Sequence, residues 1–164
     1  MSSAVAVSTP VSTPRLTLIE YNRECGSILT FTPSATNINY SDVNRTSISS
    51  THIETILCAS ESVIRTIAPH IASNDSDAYR AYVKKHIETE PLTIVFAIED
   101  NHNTESTTNT STSVSIPSTP LVLGAAVIRR YQNTFNEAKF QIEGLAVAEQ
   151  YRSRGVGRVI MVSH

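Results

Sequence analysis

The stretch VAEQYRSRGVGR, residues 147–158, decides how the rest of the chain is interpreted. The apolar run before it, residues 140–147, predicts a strand, and the apolar spacing after it, residues 156–164, predicts a helix. Two glycines and three arginines lie between the two elements. Glycines let an anion approach the backbone closely, and the unpaired amides of a helix N-terminus attract it. The stretch therefore predicts a phosphate-binding turn between a strand and a helix.

Upstream of this turn, the hydrophobic periodicity predicts an alternation of strands and helices. The predicted order is strand, helix, helix, strand, strand, strand and helix, over residues 15–21, 51–68, 75–88, 92–98, 121–131, 139–147 and 156–164. Residues 92–98 are apolar on both faces, which is typical of a central strand. Short or looped-out connections favour antiparallel pairing of the last three strands. The predicted fold class is α/β (α+β), a mixed and mainly antiparallel sheet with helices packed on it.

The first predicted helix has both a start signal and an apolar face. Thr51 and Glu54 fit a capping box, which predicts Thr51 as the N-cap of the helix. The side chains expected on its buried face recur at helical spacing: Ile53, Ile56, Leu57, Ser60, Val63, Ile64 and Ile67. Pro69 disfavours helical geometry at the preceding residue and is expected to end the helix.

Three segments are too rich in Ser, Thr, Asn and Pro to contribute to a core. Residues 1–14 repeat Val-Ser-Thr-Pro and are expected to form a disordered tail. Residues 32–50 are expected to be a loop, and residues 101–120 a disordered insertion at the tip of a hairpin. A chain of 164 residues then predicts one domain, over residues 15–164.

Composition argues against several classes of function. The net charge of −2 disfavours a protein built around nucleic acid, although three arginines cluster in residues 152–158. Cys25 and Cys58 show no CxxC or Cys/His spacing, so neither a disulfide framework nor a metal site is expected. No apolar run reaches membrane-spanning length, and residues 1–14 do not fit a secretory signal. We expect an intracellular protein, cytoplasmic or nuclear, that uses no metal or membrane.

One protein family matches the central turn. The residues RSRGVG, 152–157, fit the Arg/Gln-x-x-Gly-x-Gly/Ala signature of the GCN5-related N-acetyltransferase (GNAT) superfamily. The preceding IEGLAV, 142–147, resembles that family's fourth strand, and the upstream order of elements is similar to it as well. The resemblance covers residues 91–164 well and residues 15–90 loosely. It implies the acyl-CoA N-acyltransferase fold and transfer of an acetyl group from acetyl-CoA to a primary amine by direct attack. The acceptor would be a small molecule or a protein amine.

The resemblance also implies a set of site residues. Backbone amides of the turn would bind the pyrophosphate of acetyl-CoA, and these belong to Arg152, Ser153, Arg154, Gly155, Val156, Gly157 and Arg158. The strand edge at Leu145, Ala146 and Val147 would pair with the pantetheine arm, and an N–H there would polarise the thioester carbonyl.

Glu143 is the candidate general base. On a strand of period two it would share a face with Gln141, Leu145 and Val147, close to the thioester path. An attacking ammonium must first lose a proton, so a base near that path is required. The alternative is an ordinary strand carboxylate that is solvated or paired with an arginine.

The resemblance ends before the family pattern is complete. GNAT domains continue beyond the third helix with a further strand and helix, whereas this sequence stops at His164. We therefore expect a C-terminally truncated GNAT domain with impaired activity. Two alternatives remain open: a non-catalytic acyl-CoA- or nucleotide-binding module, and an inactive fragment.

Overall fold

The structure, a computed structural model, describes residues 16–24, 26–31, 43–69, 75–99 and 118–162. The strands are β1 (Leu16–Asn22), β2 (Gly26–Phe31), β3 (Val43–Ser47), β4 (Leu92–Glu99), β5 (Val122–Gln132) and β6 (Ala138–Val147). The helices are α1 (Ser50–Ile67), α2 (Ser76–Thr89) and α3 (Val156–Val162). A 3-10 turn, Glu149–Tyr151, precedes α3.

The six strands form one antiparallel sheet in the order β3-β2-β1-β4-β5-β6. Strand β4 lies inside the sheet, where Val95 pairs with Glu20 of β1 on one side and Ala126 of β5 on the other. Its apolar side chains are needed on both faces because helices cover both sides of the sheet there. The α+β class, the central position of this strand and the antiparallel pairing of the last three strands are confirmed.

Each face of the sheet packs against its own helices. On one face, Phe96 of β4 and Ile56 of α1 are both 0 % exposed, in a core that α2 completes with Tyr79, Val83 and Ile87. On the other face, Val156 and Ile160 of α3 pack on the opposite side of β1, β4 and β5. The sheet therefore separates an α1–α2 side from an α3 side.

The prediction of a loop over residues 32–50 is wrong at its end, where β3 forms the sheet edge. The described side chains of β3, from Arg45 to Ser47, are exposed, so the strand carries no apolar alternation. It is held by backbone pairing with β2 and by an ion pair of 3.2 Å between Arg45 Nε and Glu20 Oε2. Strand β2 was not predicted either, and the two strands extend the sheet beyond β1.

The predicted N-cap of α1, Thr51, is also wrong, by two residues. Ser49 is the N-cap, because its side-chain oxygen accepts a hydrogen bond from the His52 amide at 3.4 Å. The backbone of Ser49 is extended (φ −71°, ψ 155°), as is usual at this position. Thr51 lies inside the first turn and its backbone carbonyl accepts from the Thr55 hydroxyl at 3.0 Å. The predicted tail, residues 1–14, and most of the predicted insertion, residues 101–117, lie outside the described residues.

Candidate functional site

Strand β6 contains a β-bulge at Glu143. Gly144 pairs with Val127 of β5 and Ile142 pairs with the next residue, Ile128, so Glu143 has no partner in the register. A bulge inserts one extra residue into one strand and shifts the alternation of side chains between the faces. The alternation of side chains between the two faces is therefore shifted by one residue from one half of β6 to the other.

The bulge overturns the prediction that Glu143 shares a face with Leu145 and Val147. Leu145 and Val147 lie on the α3 side, since a Cβ added to Gly157 would meet both side chains at 3.6 Å. Gly144 faces α1 instead, where an added Cβ would come within 2.1 Å of Ile67, so only glycine permits this approach. Glu143 reaches Arg129 and the α1–α2 side.

The turn after β6 has the backbone shape of an anion site. Ser153 (φ 62°) and Gly155 (φ 80°) both have positive φ, which turns the chain sharply between the 3-10 turn and α3. In the described part of the chain, the first backbone hydrogen bond donated after Arg152 is from the Val159 amide to the Gly155 carbonyl, at 3.0 Å. The amides between those two residues are therefore available to a ligand.

The three arginines of the turn are exposed and keep their charge available. Arg152 Nε donates to the Val147 carbonyl at 3.3 Å, and the Arg154 guanidinium lies 5.4 Å from the centre of the Tyr151 ring. Neither these two nor Arg158 forms an ion pair with a carboxylate among the described residues. The turn is thus a cationic surface next to unpaired amides.

The outer edge of β6 has no strand beside it in the described sheet. The Ala148 amide donates to the Leu123 carbonyl of β5 at 2.8 Å. Antiparallel pairing alternates between residues whose amides face the partner strand and residues whose amides face away. The amides of Leu145 and Val147 therefore face the open edge, whereas that of Ala146 faces β5.

Glu143 takes part in a network of polar side-chain contacts with Arg129, Glu90 and His86. Arg129 donates to both oxygens of Glu143, and Arg129 Nη2 lies 2.6 Å from Glu90 Oε2. His86 Nδ1 lies 3.0 Å from Glu90 Oε1. The hydrogen bond from Arg129 holds the pKa of Glu90 below its usual value, while the bonds to Glu143 and Glu90 raise the pKa of Arg129. The arginine-paired arrangement considered as an alternative for Glu143 is therefore present.

This network of side chains borders a cavity of about 310 Å³ on the α1–α2 side. Its lining comes from α1, α2, β4, β5 and β6: Ile64, Ile67, Ala68, Tyr82, Val83, His86, Ile87, Glu90, Leu92, Ile94, Val127, Arg129 and Glu143. Of the residues that bear charge there, the sequence had pointed only to Glu143. Arg129 and Glu90 belong to no sequence motif, and the ion pair between them forms only because the end of α2 lies next to β5.

Comparisons with known proteins add no family. No family model matches the chain, and no curated protein matches it. The described residues contain no cluster of three or more His, Cys, Asp or Glu side chains that could hold a metal ion. Among the helices that the structure describes, none is long and apolar enough to cross a membrane.

Proposed function

We propose that the chain binds acetyl-CoA at the turn after β6 and transfers its acetyl group to a primary amine. The observation that carries the proposal is the turn itself: Ser153 and Gly155 with positive φ, unpaired amides before Val159 and three exposed arginines. Free amides and guanidinium groups are the donors that bind a pyrophosphate. The RSRGVG signature at residues 152–157 supports acyl-CoA over other phosphate ligands.

The open edge of β6 gives the rest of the cofactor arm a path. An extended amide-bearing chain can add to a free strand edge through backbone hydrogen bonds. The outward amides of Leu145 and Val147 are placed for that pairing. From Val147 back to Glu143 is four residues, or about 13 Å at about 3.3 Å per residue. The arm would thus run from the turn toward the bulge, in the direction of the α1–α2 cavity.

Direct attack then assigns a role to each group near the bulge. A base removes one proton from the ammonium, and the nitrogen lone pair attacks the thioester carbonyl carbon. The Leu145 amide would donate to the carbonyl oxygen as negative charge develops there. The C–S bond breaks, the thiolate leaves with the electron pair, and the second proton lost by the nitrogen neutralises this thiolate, so that an amide and a thiol result. Glu143 is the proposed base, with its carboxylate at the cavity border.

The ion pair between Glu143 and Arg129 favours a second candidate function. Both oxygens of the Glu143 carboxylate already accept hydrogen bonds from the Arg129 guanidinium, so taking a proton from an attacking amine would require one of these bonds to break. The same turn would then serve a non-catalytic acyl-CoA-binding module. Glu143→Gln separates the two: loss of turnover with unchanged acetyl-CoA affinity supports the enzyme, and unchanged turnover removes Glu143 from the mechanism.

Calorimetric titration with acetyl-CoA tests the binding step. The double variant Arg152→Ala/Arg154→Ala is expected to weaken binding by about tenfold or more, since it removes two charge-assisted donors. Arg45→Ala is the matched control, because Arg45 is also an exposed arginine but lies on β3 at the opposite end of the sheet. Equal affinity in both variants, or no saturable binding by the unmodified chain, would overturn the proposal.

A further inference from the structure

The cavity on the α1–α2 side combines an apolar interior with a charged border. Its deep wall comes from Val83, Ile87 and Ile94, which are 4 %, 1 % and 4 % exposed. The border carries Glu90, Arg129 and Glu143, whose side chains are each about one-third exposed (32 %, 33 % and 33 %). A volume of about 310 Å³ is at the lower end of the roughly 300–1,000 Å³ typical of small-molecule sites.

The carboxylates of the border outnumber its guanidinium. The guanidinium of Arg129 already donates to two carboxylates, those of Glu90 and Glu143. Not counting the imidazole of His86, which contacts Glu90, the two carboxylates and one guanidinium leave one unbalanced negative charge. An anionic ligand would meet this excess charge and would have to displace an existing partner of Arg129. A single positive charge would balance the border.

We propose that this cavity binds a small primary amine that carries a hydrocarbon or aromatic group. The ammonium, with three N–H donors, would bind the carboxylate oxygens of Glu90 and Glu143, and the apolar group would lie against Val83, Ile87 and Ile94. The binding rests on the cavity alone. The further assignment of this amine as the acetyl acceptor rests on the proposed function, through Glu143 at the bulge beside the open strand edge.

A set of ligands with one hydrocarbon chain tests the proposal on the unmodified protein. Calorimetric titrations with n-hexylamine, hexan-1-ol and hexanoate at neutral pH compare a cation, a neutral group and an anion. The amine is expected to bind about tenfold or more tightly than the alcohol, since hydrogen bonds to a charged group are the stronger ones. Hexanoate is expected not to bind. Shortening the amine to ethylamine is expected to weaken binding several-fold for each methylene lost from the cavity.

Two variants locate the binding within the molecule. Glu90→Gln removes the unbalanced charge and is expected to abolish the preference for hexylamine over hexanol. Glu54→Gln is the control, because Glu54 also forms an ion pair between elements, with Lys84 of α2, but does not line this cavity. Ala68→Leu places a larger side chain into the cavity border and is expected to weaken both ligands together.

Equal affinities for hexylamine and hexanol, tighter binding of hexanoate, or equal effects of Glu90→Gln and Glu54→Gln would overturn the amine site. Acetyl-CoA affinity, measured on the same samples, separates this failure from failure of the proposed function. Acetyl-CoA binding without amine selectivity overturns only the amine site. Amine selectivity without acetyl-CoA binding supports the cavity and overturns its assignment as an acceptor site.

Discussion

The two sides of β6 differ in how completely they are covered. On the α1–α2 side, Ala146 is 8 % exposed and Gly144 touches Ile67 of an 18-residue helix. On the α3 side, Leu145 is 41 % exposed and Ile142 40 %, beside a helix described over seven residues. One strand thus has a packed face, which contributes to stability, and an open face, which is free for the proposed ligand.

The bulge at Glu143 determines on which of these two sides the Glu143 carboxylate lies. Without it, strand alternation would direct Glu143 to the α3 side with Leu145, away from Arg129 and the cavity. With it, the carboxylate lies on the packed side, while the unpaired amides of the turn after β6 lie beyond the open side. Both ends of the proposed acetyl transfer therefore lie along one strand edge.

Removing one phenylalanine from each region should give the largest contrast. Phe96→Ala is expected to lower the free energy of unfolding by about 3–5 kcal/mol, because Phe96 is 0 % exposed in the packed core. Phe140→Ala, the same change at a residue of β6 that is 59 % exposed, is expected to stay within about 0.5 kcal/mol. Urea denaturation measures both. A cost at Phe140 that approaches the cost at Phe96 would mean that the open side is packed.

The two glycines of the turn should respond to alanine with opposite signs. Gly155→Ala is expected to cost about 1–2 kcal/mol, because Gly155 has a φ of 80° that an L-residue adopts only with strain. Gly157→Ala is expected to stabilise by about 0.5–1 kcal/mol, since Gly157 lies in α3 and its new Cβ would make ordinary contacts at 3.6 Å. Thermal and urea unfolding check the signs. A stabilising Gly155→Ala would contradict the positive-φ turn.

Alkaline pH should destabilise the protein through Tyr79, which is buried on the packed side. Burial raises the pKa of Tyr79 from 10.0 to about 12. The folded state therefore disfavours the phenolate: stability is unaffected by this group below pH 10 and falls as pH rises from 10 through about 12. Between pH 9 and pH 11 the loss attributable to Tyr79 is about 1 kcal/mol. Urea midpoints of the unmodified chain and Tyr79→Phe measure it, and parallel pH profiles would contradict the effect.

The sequence revealed those elements whose burial leaves a periodic pattern. Strand β4 was recognisable because both of its faces are buried, and α1 because Ile56, Leu57 and Ile64 recur at helical spacing and are buried. Strand β3 was not, because an edge strand with exposed side chains is held by backbone pairing that leaves no apolar alternation.

The candidate site, like the fold, could be predicted from the sequence only in part. The turn was predicted because glycines and arginines at a strand–helix junction are a local signal, and Gly155 has the positive φ expected of such a residue. The position of Glu143 was predicted wrongly because a bulge depends on pairing with β5, which alternation along β6 alone does not encode. The cavity depends on contacts among five elements spread over residues 64–143, so its charged border could not be anticipated.

The most direct test of the account is to observe the turn while acetyl-CoA binds. Backbone amide resonances of a ¹⁵N-labelled sample would be followed during a titration. We predict saturable shifts at Arg154, Gly155, Val156 and Gly157, together with Leu145 and Val147 on the strand edge, and little change at Val83 and Ile87 in the cavity wall. Absence of saturable shifts in the turn, or shifts confined to the cavity wall, would contradict the central claim that this turn is the acyl-CoA site.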